Sequence, residues 1–266
     1  MESLDNFPVA ARRRIRGVFT DIDDTITTGG RLTAAAYGAL ERLRAAGFLV
    51  VPITGRPAGW CDHIARMWPV DAVVGENGAF YFRYDAAARK LVKRFLASDA
   101  ERTANRQRLV AVRDRILAAV PGAALASDQL YREADLAIDF CEDVPPLPPA
   151  DIDRIVALFE AAGATAKVSS IHVNGWFGNY DKLTTSRLMM SELFGVDLET
   201  SRDRYVYSGD SPNDAPMFGY FPNAVGVANI ADFGDRLTAL PAYVTSGRCG
   251  AGFVELADAL IAARPV

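Results

Sequence analysis

The stretch Val18-Phe-Thr-Asp-Ile-Asp-Asp-Thr25 places two aspartates, Asp21 and Asp23, at the end of a short apolar run. Such a run is typical of a buried strand, and open α/β folds bind their ligands beyond the carboxyl ends of such strands. One carboxylate can then attack phosphorus while its neighbour transfers a proton, which divides a difficult hydrolysis into two easier steps. Because aspartate and threonine are also common turn residues, the pattern fits an acidic strand-to-loop corner as well.

The composition favours a globular protein that acts on a small molecule. The chain has 266 residues, of which 50% are hydrophobic, with a net charge of −4 and a pI near 5.3. Duplex nucleic acid is not an expected partner, because the chain has no general basic field. No stretch approaches the roughly 20 apolar residues that span a bilayer, so we expect no membrane association and a cytoplasmic location.

Histidine and cysteine are scarce and badly placed for catalysis. The two histidines are His63 and His172, and the three cysteines are widely spaced. This pattern disfavours a zinc site, a disulfide framework and a Ser-His-Asp mechanism. We therefore expect carboxylates to perform the chemistry.

Strand-like and helix-like segments alternate in the first and last parts of the chain. Apolar runs at 48–53 and 72–74 follow the first strand, and further runs occur at 205–207, 224–227 and 243–245. This order predicts an α/β protein with a Rossmann-like, doubly wound parallel sheet and right-handed crossovers.

The middle of the chain has a different pattern. Two predicted helices, near 102–119 and 150–162, are each followed by strand-like residues, including 130–131. We interpret this segment as an inserted α+β cap of residues 83–179, and assign residues 1–82 and 180–266 to the catalytic core. The cap is expected to act as a lid that selects the substrate.

Two later segments could hold a phosphate group beside Asp21. Thr54 ends the second strand and offers a hydroxyl, and Gly55 leaves its backbone N–H open to a phosphate oxygen. Lys182 begins a predicted helix that runs to residue 194, where a cation opposes the helix dipole unless an anion binds nearby. A simple tight turn at Thr54 and a surface pair between Lys182 and Asp181 are the alternative interpretations.

A second acidic segment, Gly209-Asp-Ser-Pro-Asn-Asp214, also follows a predicted strand. Asp210 and Asp214 lie one turn apart and supply oxygen ligands suited to a hard cation such as magnesium. The same residues can form a helix start, with Ser211 as N-cap and Pro212 in the first turn.

Taken in this order, the four segments resemble the motifs of the haloacid dehalogenase superfamily of phosphohydrolases. The insert lies between the second and third motifs, where the superfamily's larger α/β cap occurs. The resemblance implies Asp21 as nucleophile, Asp23 as general acid/base, and Thr54, Gly55 and Lys182 as phosphate ligands. It also implies a Mg²⁺ ion held by Asp21, the Asp23 backbone carbonyl, Asp210 and Asp214.

Two shorter segments, Glu76-Asn-Gly-Ala79 and Ile171-His-Val-Asn-Gly175, are similar to the mannosyl-3-phosphoglycerate phosphatase group. That group has a type-two cap (subfamily IIB) and is near the sucrose- and trehalose-phosphate phosphatases. The similarity implies a phosphorylated sugar or sugar derivative as substrate, with candidate contacts from Arg56, Asn77, His172 and Asn174. The chain departs from the pattern at Leu183 and at Asp24, where glycine is expected.

Three other functions share parts of this sequence pattern. A phosphomannomutase-like phosphotransferase has similar motifs and differs only in whether water or a second sugar captures the aspartyl-phosphate. A calcium loop starting at Asp21 is disfavoured, because Ile26 and Leu32 stand where glycine and glutamate are required. A non-catalytic regulator would be expected to lack one of the matched groups, and the chain has all of them.

Overall fold

The computed structural model describes residues 1–264 of the chain. The elements before the insert are α1 (Val9–Arg12), α2 (Ala34–Ala45), α3 (Ala58–Met67) and the strands β1 (Glu2–Ser3), β2 (Gly17–Thr20), β3 (Thr27–Thr28), β4 (Arg31–Leu32), β5 (Leu49–Pro52), β6 (Val73–Gly75), β7 (Phe80–Asp85) and β8 (Lys90–Phe95). The insert contains α4 (Asp99–Ala119), β9 (Ala124–Leu125), β10 (Asp135–Asp139), α5 (Pro149–Ala161), β11 (Thr165–Val168) and β12 (His172–Trp176).

The chain then returns to the core through α6 (Lys182–Phe194), α7 (Leu198–Ser201), β13 (Tyr205–Gly209), α8 (Ala215–Tyr220), β14 (Val225–Gly226), β15 (Tyr243–Val244) and α9 (Cys249–Ala262). Short 3₁₀ helices lie at Leu4–Asn6, Glu76–Gly78, Gln129–Tyr131, Arg202–Arg204, Pro212–Asp214 and Ala228–Arg236.

The central sheet is parallel and has the strand order β1-β15-β14-β13-β2-β5. Alternate residues of its strands face two hydrophobic layers, so Val18 packs with the α2 and α9 side and Phe19 with the α6 and α8 side. A sheet covered on both faces buries both sides of its central strands, which explains the continuous apolar runs in the sequence. This arrangement confirms the predicted doubly wound α/β fold.

The third predicted strand has a different role from the one expected. β6 meets the parallel sheet through the bridge between Ile53 and Val74 and then pairs with β7 in an antiparallel sheet of order β6-β7-β8. Phe80, Phe82 and Phe95 of this sheet pack against the core. The predicted domain boundary after residue 82 falls inside β7, and we place it instead after β8.

The insert forms its own layer of two helices on an antiparallel sheet of order β11-β12-β10-β9. Gly175 is required there, because a Cβ atom at this position would lie 2.1 Å from the ring of Phe159. The prediction of strand structure at residues 130–131 was wrong. These residues form a 3₁₀ turn closed by the Tyr131 N–H on the Asp128 carbonyl, and Leu130 is 94% exposed.

A buried glutamate joins the insert to the core. The Glu76 carboxylate accepts the N–H of Ala58 at 2.9 Å in the core and the N–H groups of residues 133–135 at 2.6 to 3.1 Å in the insert. Arg132 adds a hydrogen bond to the Gly55 carbonyl at 2.9 Å. These contacts place the insert over the carboxyl ends of the central strands.

None of the helices in the described part of the chain combines the length and the apolar character that crossing a bilayer requires.

Candidate active site

Three neighbouring strands bring the predicted site residues together. β13, β2 and β5 are adjacent in the sheet, and Asp210, Asp21 and Thr54 follow their carboxyl ends. The N–H of Asp21 bonds the Ser208 carbonyl at 2.9 Å, which holds the first acidic loop against the β13 strand. The candidate site therefore lies at the sheet edge that the sequence predicts.

Lys182 reaches this edge from a fourth segment. Its Nζ atom lies 2.8 Å from Asp21 Oδ1 and 2.8 Å from Asp214 Oδ1, and the residue is only 5% exposed. Asp181 is occupied as the N-cap of α6, since its carboxylate accepts the N–H of Thr184 at 2.6 Å. Lys182 therefore belongs to the carboxylate cluster and does not form a surface pair with Asp181.

The second acidic loop is held by hydrogen bonds from several elements. Asp214 accepts the Asp210 N–H at 3.1 Å and the hydroxyl of buried Tyr207. Asp210 in turn accepts the Thr25 hydroxyl at 3.3 Å and the Asn229 amide at 3.1 Å. Both carboxylates are therefore fixed in orientation, whereas a simple helix cap would require only Asp214.

Burial and like charges raise the pKa values of Asp21 and Asp210. Burial, together with the neighbouring Asp214 and Asp23, raises the pKa of Asp21 to about 8, although Lys182 opposes the shift. Burial, together with the carboxylates of Asp214, Asp21 and Asp24, raises the pKa of Asp210 well above its usual range. Burial alone would lower the pKa of Lys182, but Asp21 and Asp214 raise it, so we treat this ammonium group as charged.

The donor set of Asp21, Asp210 and Asp214 fits a divalent cation. One carboxylate oxygen from each residue lies within 4.8 Å of the other two, and all three residues are buried. A single ammonium group, that of Lys182, faces these three carboxylates, so a bound dication would offset their remaining charge. Carboxylate oxygens are the ligands that magnesium prefers.

Thr54 and its neighbours form the next part of the site. The Thr54 hydroxyl accepts the N–H of Arg56 at 3.0 Å, which leaves its own hydrogen free to donate. Asn77 lies behind Gly55, its N–H bonds the Thr54 carbonyl at 3.0 Å, and its backbone φ is 54°. Gly55 therefore lines the cavity between the core and the insert, and the Asn77 side chain packs against Gly55 from behind.

Arg56 lies between the core and the insert. Its guanidinium group donates to Asp23 in the core, with the shortest contact at 2.8 Å, and to Glu142 in the insert at 3.1 Å. Sequence reasoning missed Glu142, which has no motif and lies 86 residues from Arg56 along the chain.

His172 and Asn174 project from β12 toward the same space. His172 Nε2 lies 2.9 Å from Glu142 Oε2, and the Asn174 amide donates to Asp135 Oδ2 at 3.0 Å. Together with Ser169, Ser170 and the core residues Asp21 and Asp23, they line a cavity of about 20 Å³. This volume accommodates about one water molecule.

Two further residues of the site lay outside the predictions. Tyr207 is on β13 itself, where an apolar run gives no sign of a polar contact. Asn229 follows β14, and its side chain also donates to the Asp24 carbonyl at 3.0 Å. A search for polar residues after every predicted strand would have found Asn229 but not Tyr207.

Residues 18–104, about a third of the chain, match the family model of haloacid dehalogenase-like hydrolases. Solved structures share the architecture over nearly the whole chain. A Thermoplasma acidophilum protein numbered 0175 has a TM-score of 0.70 and 17% identity, covering 92% of this chain and 98% of its own.

Two structures with named activities are also similar. The sucrose-phosphatase of Synechocystis sp. PCC6803, solved with sucrose and phosphate, has a TM-score of 0.62 and 16% identity, covering 94% of this chain and 98% of its own. A trehalose-6-phosphate phosphatase related protein has a TM-score of 0.62 and 13% identity, with coverage of 92% and 96%. None of the curated proteins compared with the chain matches its sequence.

The family match confirms the resemblance to the haloacid dehalogenase superfamily and the predicted class of enzyme, a hydrolase of this type. The shared architecture confirms the predicted fold, a Rossmann-like core with an inserted cap.

Proposed function

We propose that this haloacid dehalogenase-like hydrolase is a magnesium-dependent phosphatase that removes phosphate from a phosphorylated sugar or sugar derivative. The observation that carries the proposal is the buried cluster in which Lys182 contacts Asp21 and Asp214 at 2.8 Å, with Asp210 beside them. Such a cluster is suited to hold a phosphoryl group next to a carboxylate nucleophile.

The proposed reaction has two steps. An oxygen of Asp21 bonds to phosphorus while the ester P–O bond breaks, and Asp23 gives its proton to the departing sugar oxygen. Asp23 then takes a proton from water as the water oxygen bonds to phosphorus and the bond to Asp21 breaks. Inorganic phosphate leaves, and both aspartates return to their starting protonation states.

The remaining core groups have supporting roles in this scheme. In this scheme Lys182, Thr54 and the Gly55 N–H hold the phosphoryl oxygens, which carry the charge of the transition state. Asp21, Asp210, Asp214 and the Asp23 carbonyl would hold Mg²⁺, which supplies positive charge that offsets the repulsion between the attacking carboxylate and the phosphate.

The cap side of the cavity supports the proposed substrate class. Ser169, Ser170, His172 and Asn174 offer hydroxyl, imidazole and amide groups, which suit a leaving group rich in hydroxyls. The names of the two similar structures, a sucrose-phosphatase and a trehalose-6-phosphate phosphatase related protein, support the same class. Since the cavity holds about one water molecule, the proposal requires the cap to open for a sugar.

The test is phosphate release from a panel of sugar phosphates with and without Mg²⁺. We expect magnesium-dependent release of free sugar and phosphate, with Asp21→Asn as the inactive control. Transfer of the phosphoryl group to a second sugar, without net phosphate release, would instead support the phosphotransferase. No turnover of any sugar phosphate or of p-nitrophenyl phosphate would overturn the proposal.

A further inference from the structure

We propose that Arg56 is a positioning residue that holds the carboxylate of Asp23 and ties its placement to the cap through Glu142. The inference rests on the proposed function, because it assigns Asp23 to proton transfer. It goes beyond that function because it makes the cap a contributor to the chemical steps as well as to substrate choice.

Arg56 grips Asp23 with two nitrogen atoms. Its Nε lies 3.0 and 3.1 Å from the two carboxylate oxygens, and its Nη2 lies 2.8 Å from Oδ1. A planar guanidinium with two donors fixes both the distance and the plane of a carboxylate, which a single hydrogen bond does not. Asp23 otherwise sits in a loop beyond β2, with a side chain that is partly open to the cavity.

Arg56 is itself held on every side by protein groups. It is 5% exposed, its guanidinium carbon lies 4.5 Å from the ring centroid of Trp60, and its Nη1 lies 3.6 Å from Asp128 Oδ2. The Nε and Nη2 atoms donate to Asp23, and Nη2 also donates to Glu142. Each nitrogen of the guanidinium group therefore faces a carboxylate. We therefore assign it to orienting Asp23 and not to binding the phosphate.

Glu142 completes the connection from the side of the cap. Its Oε1 accepts Arg56 Nη2 at 3.1 Å, and its Oε2 faces His172 Nε2 at 2.9 Å. The loop that carries it is fixed by buried Asp139, whose carboxylate accepts the N–H groups of residues 141–143 at 2.8 to 2.9 Å. Glu142 is therefore presented at a defined position whenever the cap lies against the core.

The contact between Arg56 and Glu142 crosses the boundary between the two domains. When the cap moves away, Arg56 loses its contact with Glu142. The Arg56 side chain, and with it the carboxylate of Asp23, is then held less firmly in position. Proton transfer would then be most effective with the cap closed. A misplacement of a catalytic group by about 1 Å can lower a rate about 10²-fold. Even a small loss of constraint on Asp23 is therefore sufficient to slow proton transfer.

The test uses pre-steady-state hydrolysis of p-nitrophenyl phosphate with Mg²⁺. This leaving group departs without protonation, so the fast release of nitrophenolate reports attack by Asp21, and the slow phase reports breakdown of the aspartyl-phosphate, which needs Asp23. We expect Arg56→Met to leave the fast phase within about 3-fold and to lower the slow phase about 10-fold to 10²-fold. Arg56→Lys should recover part of the loss, and Glu142→Gln should lower the slow phase several-fold.

A double-mutant cycle separates positioning from other roles. If Arg56 acts through Asp23, adding Arg56→Met to Asp23→Asn should change the slow phase by less than about 2-fold, because the group to be positioned is absent. Equal losses in both backgrounds, equal losses in both phases, or a rise in KM with unchanged kcat would each overturn the inference.

Arg66→Met is the matched control. Arg66 belongs to the neighbouring α3 helix and forms an exposed ion pair with Asp62 at 2.6 Å, so its removal should not alter either phase. Thermal unfolding of each variant checks that the fold is retained, and Glu142→Gln, at a half-buried side chain, tests the inference if Arg56→Met does not fold. If the wild-type protein hydrolyses neither p-nitrophenyl phosphate nor any sugar phosphate, the proposed function is contradicted. If the wild type is active and Arg56→Met behaves like it, only the inference about Arg56 is contradicted.

Discussion

The core side of the cavity and its cap side carry their charges in different ways. On the core side, Asp21, Lys182 and Asp214 are buried, and Lys182 Nζ lies 2.8 Å from each of the two carboxylates. On the cap side, Glu142 keeps a side chain that is 30% exposed and shares its oxygens between Arg56 and His172. Buried charges are costly to rearrange, whereas a partly exposed carboxylate such as Glu142 can be rehydrated when its partners move away.

This difference matches a division of labour. A phosphoryl group is the same in every candidate substrate, so a rigid set of core groups suits it. In the proposed function the leaving group varies, and the cap separates from the core to admit it. The cap contacts near Glu142 can break, while the buried Glu76 junction, on the other side of Arg132, keeps the insert attached.

The largest expected effect lies at Asp21, the proposed nucleophile. Asp21→Asn should abolish turnover of every substrate, because an amide cannot form the acyl-phosphate, whereas Asp23→Asn should lower kcat about 10²-fold to 10⁴-fold. Steady-state rates with p-nitrophenyl phosphate measure both. Near-normal activity of Asp21→Asn, with an unchanged far-ultraviolet circular dichroism spectrum, would refute the covalent mechanism.

Removal of Mg²⁺ should abolish phosphatase activity without unfolding the protein. We expect excess chelator to abolish phosphate release and added Mg²⁺ to restore it, with little change in Tm, because a cation held by carboxylates and water is not part of a folding core. Asp210→Ala should behave like the chelated wild type. Full activity of the chelated protein would show that the acidic loop serves only to cap a helix.

The Glu76 junction should control stability more than chemistry. Glu76→Gln leaves one carbonyl oxygen for four backbone N–H groups, so we expect the free energy of unfolding to fall by about 2–4 kcal/mol. Urea denaturation measures the loss. Glu133→Gln, at an exposed ion pair with Arg106, is the control and should change stability by less than about 0.5 kcal/mol.

The cap side should affect substrate choice with smaller energies. His172→Ala and Asn174→Ala should each raise KM for the best sugar phosphate about 10-fold, the equivalent of one hydrogen bond, and change p-nitrophenyl phosphate hydrolysis little. Glu160→Ala, at an exposed position of α5, is the control and should match the wild type. Equal losses on both substrates would assign these residues to structure or to core catalysis.

The smallest effect concerns Asp24, where the chain departs from the family pattern. Asp24 has a φ of 56°, and burial raises its pKa while the Ser170 hydroxyl of the cap lowers it. Asp24→Gly should relieve the backbone and remove a partly buried charge, which we expect to raise the free energy of unfolding by about 1 kcal/mol, with kcat retained. Arg89→Gly, at a φ of 51° in an exposed turn, measures the backbone contribution alone. Lower stability of Asp24→Gly than of the wild type would make the contact with Ser170 a net stabilising one.

The sequence by itself determined the core architecture and the core side of the site. Alternating apolar runs and helix signals predicted the doubly wound sheet. The α6 helix begins at Lys182 and ends at Phe194, as expected. Asp21, Thr54, Lys182, Asp210 and Asp214 were recognisable because each follows a strand or begins a helix, and local patterns specify those positions. Parallel strands then bring their ends to one edge without any further information.

Only the tertiary structure decided how the cap meets the core. β6 joins the parallel sheet by one bridge and continues into an antiparallel hairpin, and residues 130–131 form a turn against α3. Glu142 contacts Arg56, which lies 86 residues away along the chain. Glu76 likewise accepts N–H groups 57 to 59 residues away. These contacts depend on the relative placement of two separately packed layers, and a hydrophobic period describes only which face of an element is buried, not the element on which that face packs.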